Sequence, residues 1–291
     1  MLRKLTVGFL FVFALASCSA KQGNTVAQPR HEWIANSSFQ DERTEFFWSK
    51  PPGDGPFPMI VFLHGHQDPA SNLIGGRAFV DWGVLGNYAQ AGFVAVSISQ
   101  PGYGGSGGKP DFCGPRTQAA VTTVIDHFRV SKLIDPGKIA VEGVSRGAVV
   151  AAMLAARDPN LRAAVLIGGV YDLKAFYGNQ CASRSKTPVA GSICESIRDE
   201  MPVTEDEFAH RSAMSHVVRI KAKVLILDGA NDENAPVGQA QAFADALRKA
   251  GVTVELDVFP GMNHQIPLAK RQPIVNAFLK RSLGLTQQLP Q

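Results

Sequence analysis

Within Lys138-Ile-Ala-Val-Glu-Gly-Val-Ser-Arg-Gly147 the pattern Gly-x-Ser-x-Gly stands between a β-branched apolar run and an alanine-rich helical run. That context makes Ser145 a candidate nucleophile, because a serine on a sharp strand-to-helix turn projects its Oγ clear of a sheet. Gly143 and Gly147 carry no Cβ where neighbouring backbone must close in, and the helix that follows aims its first N–H groups at charge forming on an oxygen. A serine hydroxyl attacks only when a base takes its proton, and the base needs a third group to orient it. Downstream, Leu225-Ile-Leu-Asp-Gly-Ala-Asn-Asp232 places Asp232 four residues past a strand end, and Phe259-Pro-Gly-Met-Asn-His264 places His264 just past the next. Asp228 and Glu233 compete with Asp232 for the role of acid, but Asp228 stands directly at the strand end.

The elements that must hold these residues follow from apolar runs bounded by turn residues. Runs at 58–63, 93–98, 139–141, 163–167, 224–227 and 252–259 predict strands, and helical patterns separate them near 77–91, 117–130, 146–157, 238–250 and 270–281. Continuous rather than alternating apolar strands imply burial on both faces, so the fold class is α/β: a mostly parallel central sheet with helices on both faces. Residues 44–49 predict an added antiparallel strand. The interval 171–221 breaks the alternation and predicts an insertion after the strand near 163–169, which would sit over the site as a lid. Tyr171, Phe176 and Tyr177 either line a pocket there or pack beneath the lid.

The order Ser145, Asp232, His264 is that of α/β-hydrolases, and the chain resembles that superfamily over residues 55 to 282. The likeness is to the catalytic domains of the prolyl oligopeptidase family and to dienelactone-hydrolase-like esterases. It is carried by His64-Gly65, Pro101-Gly-Tyr-Gly-Gly-Ser-Gly107, Gly-Val-Ser145-Arg-Gly, Gly229-x-x-Asp232 and Pro260-Gly-x-Asn-His264. The resemblance implies Ser145 as nucleophile, His264 as base, Asp232 as its orienter, and the N–H groups of Arg146 and His66 as oxyanion donors. It implies no metal and no organic cofactor, and a small-molecule ester or a short peptide as substrate. Two departures weigh against peptidase activity: the chain has no room for the β-propeller of full-length prolyl oligopeptidases, and no Glu-Glu pair for a peptide amino terminus is found.

Two other stretches match motifs of different chemistries. His64-Gly-His66-Gln-Asp68 resembles the zinc-binding start of metallo-β-lactamase-like hydrolases, but Pro69 stands where that pattern has a further histidine. Gly102-Tyr-Gly-Gly-Ser-Gly107 matches Gly-x-Gly-x-x-Gly literally, yet Lys109-Pro110 follow instead of a helix start, so it reads as a loop near the site. A third reading is a catalytically silent lipoprotein that binds a ligand. His31, His127, His210 and His216 read as tether or helix-surface residues.

The 291 residues, 45% hydrophobic and 19% charged, suit one large domain with an insertion, taken as 41–285. Residues 1–17 read as a signal peptide: Arg3 and Lys4 precede an apolar run from Leu5 to Ala16, too short to span a bilayer. Leu15-Ala16-Ser17-Cys18 resembles the lipobox of bacterial lipoproteins, which makes Cys18 a lipidation site, residues 18–40 a flexible tether, and the protein exported and membrane-anchored through lipid. An ordinary signal peptide cut near Ala20 is the alternative. The formal net charge of +4 falls to about +2 without Arg3 and Lys4, and the scattered basic residues imply no nucleic-acid partner. With Cys18 acylated, a Cys181–Cys194 disulfide is the first expectation, and Cys113 paired to either one the alternative.

Overall fold

The computed structural model describes residues 28–39, 41–67, 73–181, 188–286 and 289. The signal segment, Cys18 and Asp68 lie outside the described residues. Eight strands form one sheet: β1 (Arg30–Ala35), β2 (Arg43–Ser49), β3 (Phe57–Leu63), β4 (Val94–Ile98), β5 (Ile134–Val144), β6 (Ala163–Ile167), β7 (Lys223–Gly229) and β8 (Val254–Phe259), in the order β1-β2-β4-β3-β5-β6-β7-β8. From β4 to β8 all neighbours are parallel, whereas β1 and β2 are antiparallel additions at one edge.

The pleat explains the continuous apolar runs, because successive side chains enter cores on opposite faces. Met59, Val61 and Leu63 of β3 join one core, with α3 (Pro115–Arg129), α4 (Arg146–Arg157) and α8 (Val237–Lys249). Ile60 and Phe62 join the other, with α1 (Arg77–Asp81), α2 (Val84–Gln90) and α9 (Leu268–Leu283). The inserted interval between β6 and β7 holds α5 (Leu173–Phe176), a π-turn at Tyr177–Cys181, α6 (Pro188–Glu200), α7 (Glu205–Arg211) and a 3₁₀ turn at Ala213–Arg219. Cys181 and Cys194 form a disulfide that staples α6 to the π-turn, and Cys113 is free and buried, its thiol pushed up to about 12 by desolvation.

The structure departs from the sequence pattern at three places. The tether drawn to residue 40 contains a strand, since Arg30–Ala35 pairs with β2, and His31 stacks on Phe47 at 4.2 Å and bonds Glu45 at 2.7 Å. Polar residues on an edge strand face solvent on one side, so this segment carries little hydrophobic signal. The helix near 77–91 is two helices, because Gly83 takes a left-handed φ of 71° between them. β5 begins five residues before Ile139, paired through Phe57 and Ile134 across a register shift in β3.

At the junction of β5, β3 and α4 backbone passes backbone at close range. A Cβ on Gly143 would lie 2.1 Å from the Gly147 carbonyl oxygen, and one on Gly147 would lie 2.1 Å from that of Leu63. Backbone cannot yield such distances locally. Gly147→Ala is therefore expected to lower stability by about 3 kcal/mol or more, read as a fall in the thermal unfolding midpoint; a midpoint equal to the parent's would contradict the close approach.

Candidate active site

Ser145 sits between β5 and α4 with φ 55° and ψ −119°, a conformation that L-residues adopt only under constraint. Its N–H donates to the Ile167 carbonyl at 2.7 Å, which ties the turn to the end of β6. On the other side Gly65 leaves room for it, since a Cβ there would meet the Ser145 Cβ at 3.3 Å. Ser145 thus projects from the carboxyl end of the sheet at the place the sequence pattern indicates. Arg146 heads α4, where first-turn N–H groups have no intrahelical acceptor.

Asp232 and His264 reach this end from the loops after β7 and β8. Those loops are locked together: Ala230 N–H donates to the Phe259 carbonyl, Asn231 N–H to that of Met262, and a Cβ on Gly229 would strike the Asn263 carbonyl oxygen at 2.2 Å. His264 Nδ1–H donates to Asp232 Oδ2 at 2.7 Å. The other Asp232 oxygen accepts the N–H groups of Asn234 and Ala235, both at 2.9 Å. Three N–H donors thus converge on the Asp232 carboxylate, whose side chain has no solvent exposure. With Nδ1 committed to Asp232, the imidazole keeps Nε2 as its basic nitrogen. The ring lies on Gly168, where a Cβ would approach its Cε1 at 3.0 Å, and Gly168 follows Ile167, the residue bonded to Ser145. The three sequence candidates are thereby gathered about one point, the Ile167–Gly168 backbone.

The loops after β3 and β4 complete the floor. His64 is buried, its Nε2 accepting the Gln100 N–H at 3.1 Å and its Nδ1–H donating to the Gly65 carbonyl at 2.8 Å. Gln100 Nε2 returns a bond to the His64 carbonyl at 2.8 Å. Desolvation holds the His64 imidazole neutral and pushes its pKa down to about 4. The glycine-rich stretch expected near the site is anchored by Glu45, which accepts from Gly105 N–H at 2.8 Å and Ser99 Oγ–H at 2.6 Å. Glu45 could not be assigned from the sequence, because its partners Ser99 and Gly105 lie far along the chain, and the His64-Gly65 turn singled out there gave no sign that Gln100 would anchor the imidazole. His66 bonds Ser192 Oγ of α6 through Nε2 at 3.1 Å and lines the pocket beside Ser145. Among the described residues no group of three or more His, Cys, Asp or Glu side chains could hold a metal ion.

The insertion closes over Ser145. Arg146, almost fully buried, makes a bidentate pair with Glu200 at the end of α6, at 2.9 and 2.5 Å, its guanidinium lying over Tyr103 and Phe112. Glu200 also accepts the Phe112 N–H at 2.8 Å. Beneath α6, Phe112, Val149, Val170, Leu173, Phe176 and Ile193 line an apolar cavity of about 30 Å³ that reaches Ser145. A second cavity of about 290 Å³ shares Phe176 as a wall and is flanked by Asp172, Asn179 and Gln239. Of the aromatic trio singled out from sequence, Phe176 lines both cavities, whereas Tyr171 is stacked on Phe243 at 4.5 Å and Tyr177 packs on Phe208.

A serine on a strained strand–helix turn, at the carboxyl end of a mostly parallel sheet beside an imidazole–carboxylate pair, defines the class: a serine hydrolase of the α/β-hydrolase fold. Residues 86–286 match the prolyl oligopeptidase family, and the chain belongs to it. Acylamino-acid-releasing enzyme 2 of Oryza sativa subsp. japonica is 26% identical over 227 residues, 72% of this chain and 28% of its own. Uncharacterized peptidase YtmA of Bacillus subtilis is 24% identical over 239 residues, 80% of this chain and 86% of its own. The chain thus spans under a third of the plant relative's length. Among solved structures, Pyrococcus horikoshii acylaminoacyl peptidase superposes with a TM-score of 0.69 at 17% identity, covering 90% of this chain and 43% of its own. The Pyrococcus furiosus esterase Pf2001 gives 0.65 at 18% identity, covering 88% and 93%. Both share the fold.

The buried neutral His64 makes stability depend on pH. The unfolded chain protonates this imidazole near pH 6.5 and the folded one only near pH 4, so protons favour unfolding in that window. Stability should fall as pH drops from about 6.5 to 4, by on the order of 3 kcal/mol from this residue. Denaturant titrations of the parent and of His64→Asn would show it as a slope present in the first and reduced in the second.

Proposed function

We propose that the protein cleaves a carboxylic ester, or an amide of an acylated amino acid, through an acyl-enzyme. Ser145 Oγ attacks the carbonyl carbon as His264 Nε2 takes its proton, and Asp232 fixes the imidazole and stabilises the imidazolium that results. The oxyanion is received by the N–H groups of Arg146 and His66. Collapse of the tetrahedral intermediate expels the alcohol or amine, which takes the proton from His264, and water then releases the acid by the same steps in reverse. The observation that carries this reading is the 2.7 Å Asp232–His264 bond, seated on the glycine next to the residue that holds the Ser145 turn.

The amide reading is favoured by relatives named as acylamino-acid-releasing enzymes, and the ester reading by a structural neighbour of nearly the same length. A lipid anchor at Cys18 would tether the enzyme to a bacterial membrane, facing the periplasm or the outside; Leu15-Ala16-Ser17-Cys18 supports it.

Ser145→Ala and His264→Ala should each remove turnover of p-nitrophenyl acetate without lowering the unfolding midpoint, and Ser145→Ala should abolish labelling by a fluorophosphonate. Labelling or full turnover in Ser145→Ala would reject the mechanism. The small apolar cavity should favour a short acyl group, so kcat/KM should fall from acetate to octanoate esters. Ile193→Ala opens the α6 side of that cavity and should shift the preference toward longer chains, by about fourfold for each methylene newly accommodated. An unchanged chain-length profile would place the acyl group elsewhere.

A further inference from the structure

Behind the His264–Asp232 pair lies a second carboxyl group that the acyl-transfer steps leave unused. Asp228, the penultimate residue of strand β7, has no solvent exposure. Neither of its side-chain oxygens has a hydrogen bond of ordinary geometry among the described residues, apart from what a second carboxyl group can offer. Its side chain is within hydrogen-bonding reach of Asp232. The groups facing it are Asp232 from the loop after β7, the hydroxyl of Tyr171 from the segment after β6, the Gly229 N–H, and His264 beyond Asp232. Among these it meets no cation directly.

Two carboxylates in contact inside a protein cannot both be ionised without a large penalty, so one keeps its proton. The donors decide which one. Asp232 accepts from His264, Asn234 and Ala235, whereas Asp228 is deeply buried and has no comparable set of donors. The proton therefore belongs on Asp228, where it turns an acceptor into an O–H donor aimed at Asp232. We infer that Asp228 is a positioning residue: as a neutral carboxylic acid it donates a hydrogen bond to Asp232 and so holds the carboxylate that orients His264. This inference rests on the reading of Asp232 as the partner of a catalytic His264.

Desolvation, and then the charge of Asp232, push the pKa of Asp228 up to about 8. Tyr171, fully buried and raised well above the usual phenol range by the same burial, stays protonated through that region. Above about pH 8 the Asp228 donor is lost and a second negative charge appears against Asp232. The parent enzyme's kcat should therefore decline as pH rises through about 8.

The test compares Asp228→Leu, Asp228→Asn and Asp232→Asn in the full chain, with p-nitrophenyl acetate as probe and thermal unfolding as the folding control. Leucine fills the space without a donor and should lower kcat by about ten- to a hundredfold, as losses of outer hydrogen-bond partners do, with little change in KM. Asparagine supplies an N–H donor that does not titrate. It should recover most of the loss and abolish the alkaline decline. A folded Asp228→Asn as impaired as Asp228→Leu, or one that keeps the decline, overturns the inference. If Asp228→Leu fails to fold, the pH profile of Asp228→Asn decides by itself. Full kcat in Asp232→Asn would remove both this inference and the catalytic reading of Asp232. A crippled Asp232→Asn beside an unrescued Asp228→Asn removes this inference alone.

Discussion

The molecule is organised around one close crossing of backbone. At Gly147 the first turn of α4 passes the end of β3 so tightly that a side-chain carbon would fall 2.1 Å from the Leu63 oxygen. That crossing bends the chain at Ser145 into a conformation which would relax if the space were larger, and the Ile167 carbonyl completes the clamp by accepting the Ser145 N–H. The strain is held by a fully buried five-residue strand on one side and an alanine-rich helix on the other, neither of which can shift without opening a core. Reactive geometry is thus set by packing of the most rigid elements, before any lid residue is considered.

Polar groups around the turn are resolved by dense local pairing. Asp232 is matched by three donors, His64 is kept neutral between two backbone groups, and Arg146 is matched by both oxygens of Glu200. Breaking such a buried pair is costly because it leaves a charge without a partner. The Arg146–Glu200 pair therefore does two jobs at once: it satisfies the residue next to Ser145, and it fixes the far end of α6 over the apolar cavity. The Cys181–Cys194 bridge fixes the middle of the same helix to the π-turn. The ion pair and the covalent bond thus fix α6 at two points, beside the buried apolar residues Leu173, Phe176 and Ile197 of the same insertion.

Much of this architecture is legible in the sequence. Strand runs such as 163–167 and 224–227 are continuous because both faces are covered, and Ala163–Ile167 and Lys223–Gly229 form where the runs lie. The insertion after β6 and the Cys181–Cys194 pairing were also readable, the latter from two cysteines in one irregular segment. What escaped was whatever depended on distant partners. Arg30–Ala35 opens on three polar residues and carries only the short apolar run Trp33-Ile34-Ala35, and it forms a strand by pairing with the edge that β2 offers. His31 looked like a tether residue, yet the Glu45 carboxylate that binds it lies across the hairpin. The break at Gly83 needed a φ that no periodicity reveals.

Residue types and spacing by themselves determined the class of chemistry: a serine between two glycines at a strand–helix boundary, with an acid and an imidazole at later strand ends, has few other physical reasons to exist. They also determined the layered sheet, since hydrophobic runs without alternation must be buried on both sides. The spacing already favoured Asp232 over Asp228 as the partner of His264, but only the tertiary structure decided that Asp228 lies behind it without comparable donors, because the two differ by four positions along the chain but by their whole set of donors in space. It alone decided that Arg146 turns its guanidinium toward the insertion, and that Phe176, not Tyr171, walls the cavity. Those outcomes depend on distances between loops brought together by the sheet, and a one-dimensional pattern contains no such distance.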